Sequence, residues 1–386
     1  MTRLLLINAR LFDPEERAPR AGVLLLQGGR IAGRPSAGEV AAIDAERVDM
    51  AGAGLAPGLL DLHFHGALPF ATGHDTASCL ERASTSLARH GTTSFLATTV
   101  ALPGPELAAQ IRDLAPQVAG GGWPGAEPMG IHLEGPWIAA GAAGAQPADA
   151  LRPADPREVE ELISQGAGTI RMVTLAPELP GTGALLAALS RARIVAAMGH
   201  SLANPQEIAA ALDAGLCHVT HLFNAMGPLH HRELGVVGVA LTEDRLSCDL
   251  ICDGAHVHPA IVRLAARAKG ERLILITDQI DPPASSGPSF GSGPIHDDGS
   301  AFRLQDGRLA GSRLFLDQAL ENAQKFGALS LLEAIAAVTL RPARLLGVEG
   351  ERGTLRVGAR ADFFVFGPGA KLRETWIDGR CVYAVT

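Results

Sequence analysis

His63-Phe64-His65 places two imidazoles two residues apart at the end of the apolar stretch Leu59–His65. Residues i and i+2 of a strand project to the same face. Two imidazoles on one face at a strand end are natural ligands for Zn or Fe. The same short pattern also arises from two unrelated histidines. Four further residues stand at comparable places. Glu134 ends the stretch Met129–Glu134, and His200 follows Ile194–Met198 through Gly199. His221 closes Cys217–His221, and Asp278 follows Leu273–Thr277. Together they offer four imidazoles and two carboxylates, enough for a mono- or dinuclear metal site with open water positions. An acid at the tip of an apolar strand is either a structural partner, such as a helix cap, or a general base. As a base, Asp278 would take a proton from metal-activated water and return it to a leaving group.

The remaining histidines carry less. His132 lies two residues before Glu134 on the same face, either supporting the ligands from behind or simply packed. His230 and His231 read as loop surface, and His90, His218, His258 and His296 as structural. His74-Asp75 stays open between a loop and a site role. The loop from Asn224 to Arg232 combines an amide, a turn and a guanidinium, which together can hold a phosphate. Arg232 could equally pair with Glu233. Asp253-Gly254-Ala255-His256 adds another donor.

These residues need a frame. Strand patterns over 59–65, 92–100, 129–134, 169–175, 194–198, 217–221, 246–252 and 273–277 alternate with helix patterns over 77–90, 105–118, 156–164, 183–191, 205–214 and 259–268. The predicted class is α/β, a (β/α)8, TIM-like barrel over 58–339, whose C-terminal strand ends gather catalytic groups. A doubly wound sheet has the same local pattern. Short strands in 1–57 and in 340–386, including one over 353–356, predict a small β-sandwich domain built from both termini. The Pro-, Gly- and Ser-rich stretch 281–300 reads as a mobile loop beside the site.

Composition excludes other classes. Of 386 residues, 47% are hydrophobic and 19% charged, so a large core forms and wholesale disorder does not. The net charge of −8 and the absence of basic blocks argue against nucleic acid and anionic membranes as partners. Aromatics at 4% leave no stacking platforms. No apolar run approaches a membrane span of ~18–20 residues. Five cysteines without a CxxC pair predict reduced thiols and a cytoplasmic protein.

The segments Pro57–Gly66, His132-Leu133-Glu134-Gly135-Pro136, Leu175-Ala176-Pro177-Glu178, Gly199-His200-Ser201, Thr220–Met226, Asp253–His256 and Thr277-Asp278 occur in that order. In this the chain resembles the N-acetylglucosamine-6-phosphate deacetylase family of the amidohydrolase superfamily. The resemblance spans nearly the whole chain and implies a metal-dependent hydrolase barrel. Glu134, His200 and His221 would bind the main divalent metal, and His63 and His65 a second. Zn leads, with Fe, Mn or Co as alternatives. Asp278 would be the acid/base. Asn224, Ala225, Arg232 and His256 would contact a sugar phosphate, with Ala145, Leu309, Ala310 and Gly311 also lining the substrate. A homodimer is implied, because the phosphate site can borrow residues from a neighbouring subunit.

Three positions depart from the family pattern. Gln146 ends a neutral stretch where relatives have a Lys-rich one ending in His. Gln279 follows Asp278 where a small residue is usual, and is expected to reshape the acyl pocket. Arg313 replaces a small residue. Two alternatives to sugar-phosphate deacetylation therefore stand: a deacylase of another N-acyl sugar or a cyclic or N-acyl amide, and a non-catalytic scaffold. The scaffold is disfavoured because every expected ligand is retained.

Overall fold

A computed structural model describes residues 3–68, 75–282 and 287–385, so His74 lies outside the described residues. The chain opens with β1 (Arg3–Leu11), β2 (Arg20–Gln27), β3 (Arg30–Gly33), β4 (Glu46–Asp49) and β5 (Gly54–Pro57). Eight strands then run parallel, each to the next. They are β6 (Leu59–Gly66), β7 (Thr92–Thr99), β8 (Glu127–Glu134), β9 (Ile170–Leu175), β10 (Val195–Met198), β11 (His218–Val219), β12 (Ser247–Ile251) and β13 (Leu273–Ile276). Nearly every residue of these strands is buried, as expected where helices cover one face and side chains fill the other.

The connecting helices are α1 (Thr76–Ala88), α2 (Gly104–Gly120), α3 (Pro156–Gly166), α4 (Thr182–Ala192), α5 (Pro205–Asp213), α6 (Gly235–Thr242), α7 (Pro259–Lys269) and α8 (Leu316–Lys325). Their starts are written locally. Asp155 accepts the N–H groups of Arg157 and Glu158 ahead of α3, and Asn204 with Glu207 forms a reciprocal cap ahead of α5. The sequence reading did not include α6. Its stretch Gly-Val-Val-Gly-Val-Ala-Leu-Thr has no polar face, because the helix is buried over most of its length.

Closure of the barrel uses a side chain. Asp61, fully buried in β6, accepts the Thr277 hydroxyl at 2.6 Å and the Thr277 N–H at 3.3 Å. Its Oδ1 also takes the His63 N–H at 3.2 Å. The tip of β13 is thereby tied to the first barrel strand. One residue beyond Asp278, β14 (Gln279–Ile280) continues the closure by pairing with β6, Gln279 opposite Phe64. Burial pushes the Asp61 carboxyl up to about 7, against the pull of its Thr277 hydrogen bond.

Where it is described, the stretch expected as a mobile loop holds two short strands and leads into two more. β15 (Ser289–Phe290), β16 (Gly293–Asp297), β17 (Ala301–Leu304) and β18 (Leu309–Ser312) pair antiparallel in succession, and β18 joins β14. Residues 283–286 lie outside the described part. Composition misled because the strands are short, yet Phe290, Ile295 and Leu304 bury against Ile280 and Ala310. Two small helices follow, α9 (Leu331–Ala337) and α10 (Leu340–Leu345).

β19 (Phe363–Phe366), β20 (Leu372–Ile377) and β21 (Arg380–Ala384) complete the sheet begun at the N-terminus. Its order is β21-β20-β19-β5-β1-β2-β3, with β4 on β1. Leu6, Leu24, Ile31, Leu55, Phe363 and Trp376 form its own core. The strand expected over 353–356 is a turn instead. Gly353 sits at φ +78°, and a Cβ there would lie 2.7 Å from the Thr339 carbonyl oxygen. Only glycine fits so close an approach. Buried Asp362 accepts from Arg352 at 2.7 Å and Arg360 at 2.9 Å, and both guanidiniums also reach Glu127 of β8. This network joins the terminal sheet to the barrel.

Asp61→Ala would remove the acceptor of the buried His63 and Thr277 N–H groups and leave the Thr277 hydroxyl only the His63 carbonyl at 3.3 Å. We expect a loss of about 3 kcal/mol of stability, read from urea unfolding. An unchanged midpoint would mean that the β6–β14 ladder alone closes the barrel.

Candidate active site

Six polar side chains converge at the C-terminal mouth of the barrel. Glu134, at the end of β8, lies at their centre. Its Oε1 is 2.9 Å from His221 Nε2 and 3.1 Å from His200 Nε2. Its Oε2 is 3.3 Å from His65 Nε2, and His63 Nε2 lies 3.6 Å from Oε1. The two imidazole pairs are internally close, 3.1 Å between Nε2 atoms in each. Asp278 Oδ1 stands 3.4 Å from His63 Nε2 and 3.3 Å from His65 Nε2.

The backbone aims these groups. His200, His221 and Asp278 each take a positive φ, of 49°, 34° and 50°. Such conformations are costly for residues with a Cβ and persist only where the surroundings enforce them. At His221 the enforcement is Asp249, fully buried in β12. One carboxylate oxygen accepts the His221 N–H, and the other lies 3.0 Å from His218 Nε2. At Asp278 the N–H donates to the His63 carbonyl at 2.9 Å, and its carbonyl accepts the Ser312 N–H at 2.8 Å.

This donor set fits a divalent cation. His63, His65 and Glu134 form one group of ligand atoms, and Glu134, His200 and His221 a second, with Glu134 common to both. His65 Nδ1 is 3.1 Å from the Thr98 carbonyl oxygen, and His200 Nδ1 is 2.8 Å from that of Ala142. A carbonyl accepts only from N–H, so in both rings Nδ1 carries a proton and Nε2 is the nitrogen turned to the centre, the one a cation would take.

Electrostatics follow from this crowding. Burial raises Glu134, but the His63 charge and the hydrogen bonds of His200 and His221 hold its carboxyl well below the usual range. Asp278 behaves alike: burial raises it, and His63 and His65 together bring it below its ordinary value. Burial lowers His65, but its bonds to Asp278 and Glu134 overcome this and lift it to about 10. His132 is held well below its usual value by burial and the His63 charge.

His132 lies beneath the centre rather than in it. It packs edge-on against His63 with ring centroids 4.7 Å apart. Its Nε2 is 2.8 Å from the Thr174 hydroxyl, and its Nδ1 is 3.4 Å from that of Thr98. With no exposure and both nitrogens engaged, it does not face an incoming carbonyl oxygen.

A cavity of about 330 Å³ opens above the cluster. Its walls include Asn224, Ala225, His256, Ala145, Leu309, Ala310 and Gly311, as expected from the sequence, and also Phe290 and Arg308. His256 is oriented by Asp253, whose carboxylate lies 2.6 Å from Nδ1. Arg232 is not brought to this wall; it is exposed, with its guanidinium 2.8 Å from His231 Nε2.

The departures from the family pattern also fall out differently. Gln279 does not line the acyl pocket. It faces a separate cavity with Phe64, Arg82 and Phe315, because its strand turns that side chain away from the centre. Arg313 lines the same cavity and pairs with Asp297 at 2.9 Å. Gln146 stays at the centre, donating to Glu134 Oε2 at 2.5 Å. Sequence reasoning passed over Asp61 and Asp249. Each had a signal, an acid inside an otherwise apolar strand.

Residues 55–382 match the Amidohydrolase family. The chain is 37% identical over 316 residues to N-acetylglucosamine-6-phosphate deacetylase of Bacillus subtilis, covering 81% of this chain and 80% of the relative. It is 35% identical over 328 residues to N-acetylgalactosamine-6-phosphate deacetylase of Escherichia coli O157:H7, covering 84% and 87%. Among solved structures, the Mycobacterium smegmatis N-acetyl-D-glucosamine-6-phosphate deacetylase in complex with N-acetyl-D-glucosamine-6-phosphate aligns with TM-score 0.88 and 33% identity. That alignment covers 99% of this chain and 100% of the other. By sequence and fold alike, the chain belongs to the amidohydrolase superfamily and, within it, to the N-acetylglucosamine-6-phosphate deacetylase family.

Proposed function

We propose that this chain removes the N-acetyl group from N-acetyl-D-glucosamine 6-phosphate, giving acetate and D-glucosamine 6-phosphate. The observation that carries the reading is the placement of Asp278. Its carboxylate touches the His63–His65 pair and faces a cavity wide enough for a hexose. The named relatives supply the substrate class.

Glu134, His200 and His221 would hold one divalent cation, and His63 and His65 with Glu134 a second. Zn suits an imidazole–carboxylate set, which also accepts Fe, Mn or Co. A cation there polarises a carbonyl oxygen and lowers the pKa of a bound water towards ~7. The chain's own residues do the rest. Asp278, an ionised carboxylate by its lowered pKa, accepts a proton from the attacking water. Water oxygen bonds to the acetyl carbon, the C–N bond breaks, and Asp278 passes the proton to the departing nitrogen. Asn224 and His256 hold the sugar phosphate from the opposite wall, with the Asp253 carboxylate fixing the His256 ring.

Arg232 would complete the phosphate site from a second copy of the chain. Leu202, Leu229 and Leu234 support this, since they are 52%, 53% and 43% exposed around the same loop. Exposed apolar groups this close together are the mark of a covered surface. A homodimer would bury them and bring Arg232 of the partner subunit to the cavity. We assign the protein to the cytoplasm, where its five free thiols stay reduced. Among the described residues no helix is long and apolar enough to cross a membrane. The galacto epimer is a second reading, favoured by the Escherichia coli relative.

Asp278→Asn keeps the shape but not the base. It should lower kcat by about 10²–10⁴-fold while metal content, measured by plasma emission, stays at the wild-type level. Normal turnover in that variant would defeat the mechanism. Arg232→Ala should raise KM for the phosphorylated sugar about tenfold, by loss of a charge-assisted contact, with a smaller change in kcat. An unchanged KM would remove Arg232 from the phosphate site.

A further inference from the structure

We infer that Gln146 is a positioning residue for the metal centre, holding Glu134 in the one orientation that serves both imidazole pairs. This rests on the proposed metal dependence but not on the identity of the substrate. Glu134 is the only ligand common to the two groups of donor atoms among the described residues. Rotation of its carboxylate would disturb both groups together. Oε1 faces His200 and His221, with His63 3.6 Å away, whereas Oε2 faces His65. Among the described residues, the side-chain hydrogen bond that distinguishes the two oxygens from outside the cluster is that of Gln146, whose Nε2 donates to Oε2 at 2.5 Å.

The Gln146 amide is itself oriented. Its Oε1 accepts the Ala101 N–H at 2.8 Å. A flipped amide would set oxygen against carboxylate and N–H against N–H, so the network admits one arrangement. The side chain is buried, at 3% exposure, and its amide is neutral. It fixes a carboxylate without adding a charge to a crowded centre.

The same short loop steers a second ligand. The Ala142 carbonyl accepts the Nδ1–H of His200 at 2.8 Å, and the Ala142 N–H is tied back to Ala139 at 2.9 Å. Residues 139–146 thus orient two of the three members of the Glu134, His200, His221 group. Arg308 of the β17–β18 turn donates to the Gly144 carbonyl, holding this loop against the wall that carries Leu309 and Gly311. Hydrogen-bond partners that orient ligands in this way govern metal affinity by about 10- to 100-fold.

The test is metal affinity without substrate, by Zn²⁺ competition against a chromophoric chelator, together with the Tm of the metal-free protein. Gln146→Leu should bind Zn²⁺ about 10- to 100-fold more weakly, while the metal-free Tm falls by no more than the few degrees expected when the buried Ala101 N–H loses its acceptor. Gln146→Met, unbranched and able to fill an irregular gap, serves as the second variant if leucine does not pack. It should show the same loss. Wild-type affinity in a folded variant overturns the inference. So does a loss of affinity that comes with an equal loss of metal-free stability, since the role would then be structural. Neither outcome bears on which acyl sugar is cleaved.

Discussion

One carboxylate held between two pairs of imidazoles is the constraint on which the rest of the molecule depends. Glu134 is buried almost completely at the mouth of the barrel. A charge in such surroundings is costly unless it is paired and hydrogen-bonded. Four imidazoles and the Gln146 amide meet that demand from four different segments of the chain. Asp278 adds a second acid close by, which makes the balance tighter. The cluster is therefore unfavourable as a free-standing arrangement and has to be enforced by its frame.

The frame enforces it in two ways. Parallel strands bring residues that are far apart in sequence to one rim, which is why Glu134, His200, His221 and Asp278 can meet at all. Buried acids then fix the backbone beneath them. Asp61 ties β13 to β6, and Asp249 holds the left-handed turn at His221. Below these, hydroxyl groups of Thr98, Thr174 and Thr220 run with His132 across neighbouring strands as one hydrogen-bonded floor. The terminal sheet contributes from further away, through the Asp362 network that reaches Glu127 at the start of β8.

Much of this could be read from the sequence, for a physical reason. Each candidate ligand is a polar residue at the end of an apolar strand, and period two puts His63 and His65 on one face. The same reasoning ran out where placement depends on another part of the chain. Gln279 stands next to Asp278 but points away, because its short strand pairs with β6 opposite Phe64. Gln146 lies in a loop, and nothing local shows that it reaches Glu134. Strands β15 and β16 hid in a Pro- and Gly-rich stretch because pairing and a few buried residues outweighed composition. Arg232 does not reach the cavity of its own chain, because the loop that carries it points its guanidinium to the surface.

The central claim joins a hydrolytic centre to a cavity that recognises a sugar phosphate. Its most direct test is kcat/KM for acetate release by metal-replete protein from N-acetylglucosamine 6-phosphate and from unphosphorylated N-acetylglucosamine. A charge-assisted phosphate contact is worth roughly 1.5–3 kcal/mol, so two or more of them predict a preference of at least about a hundredfold for the phosphate ester. Equal activity on both sugars, or activity on neither in protein that holds its metal, would contradict the account.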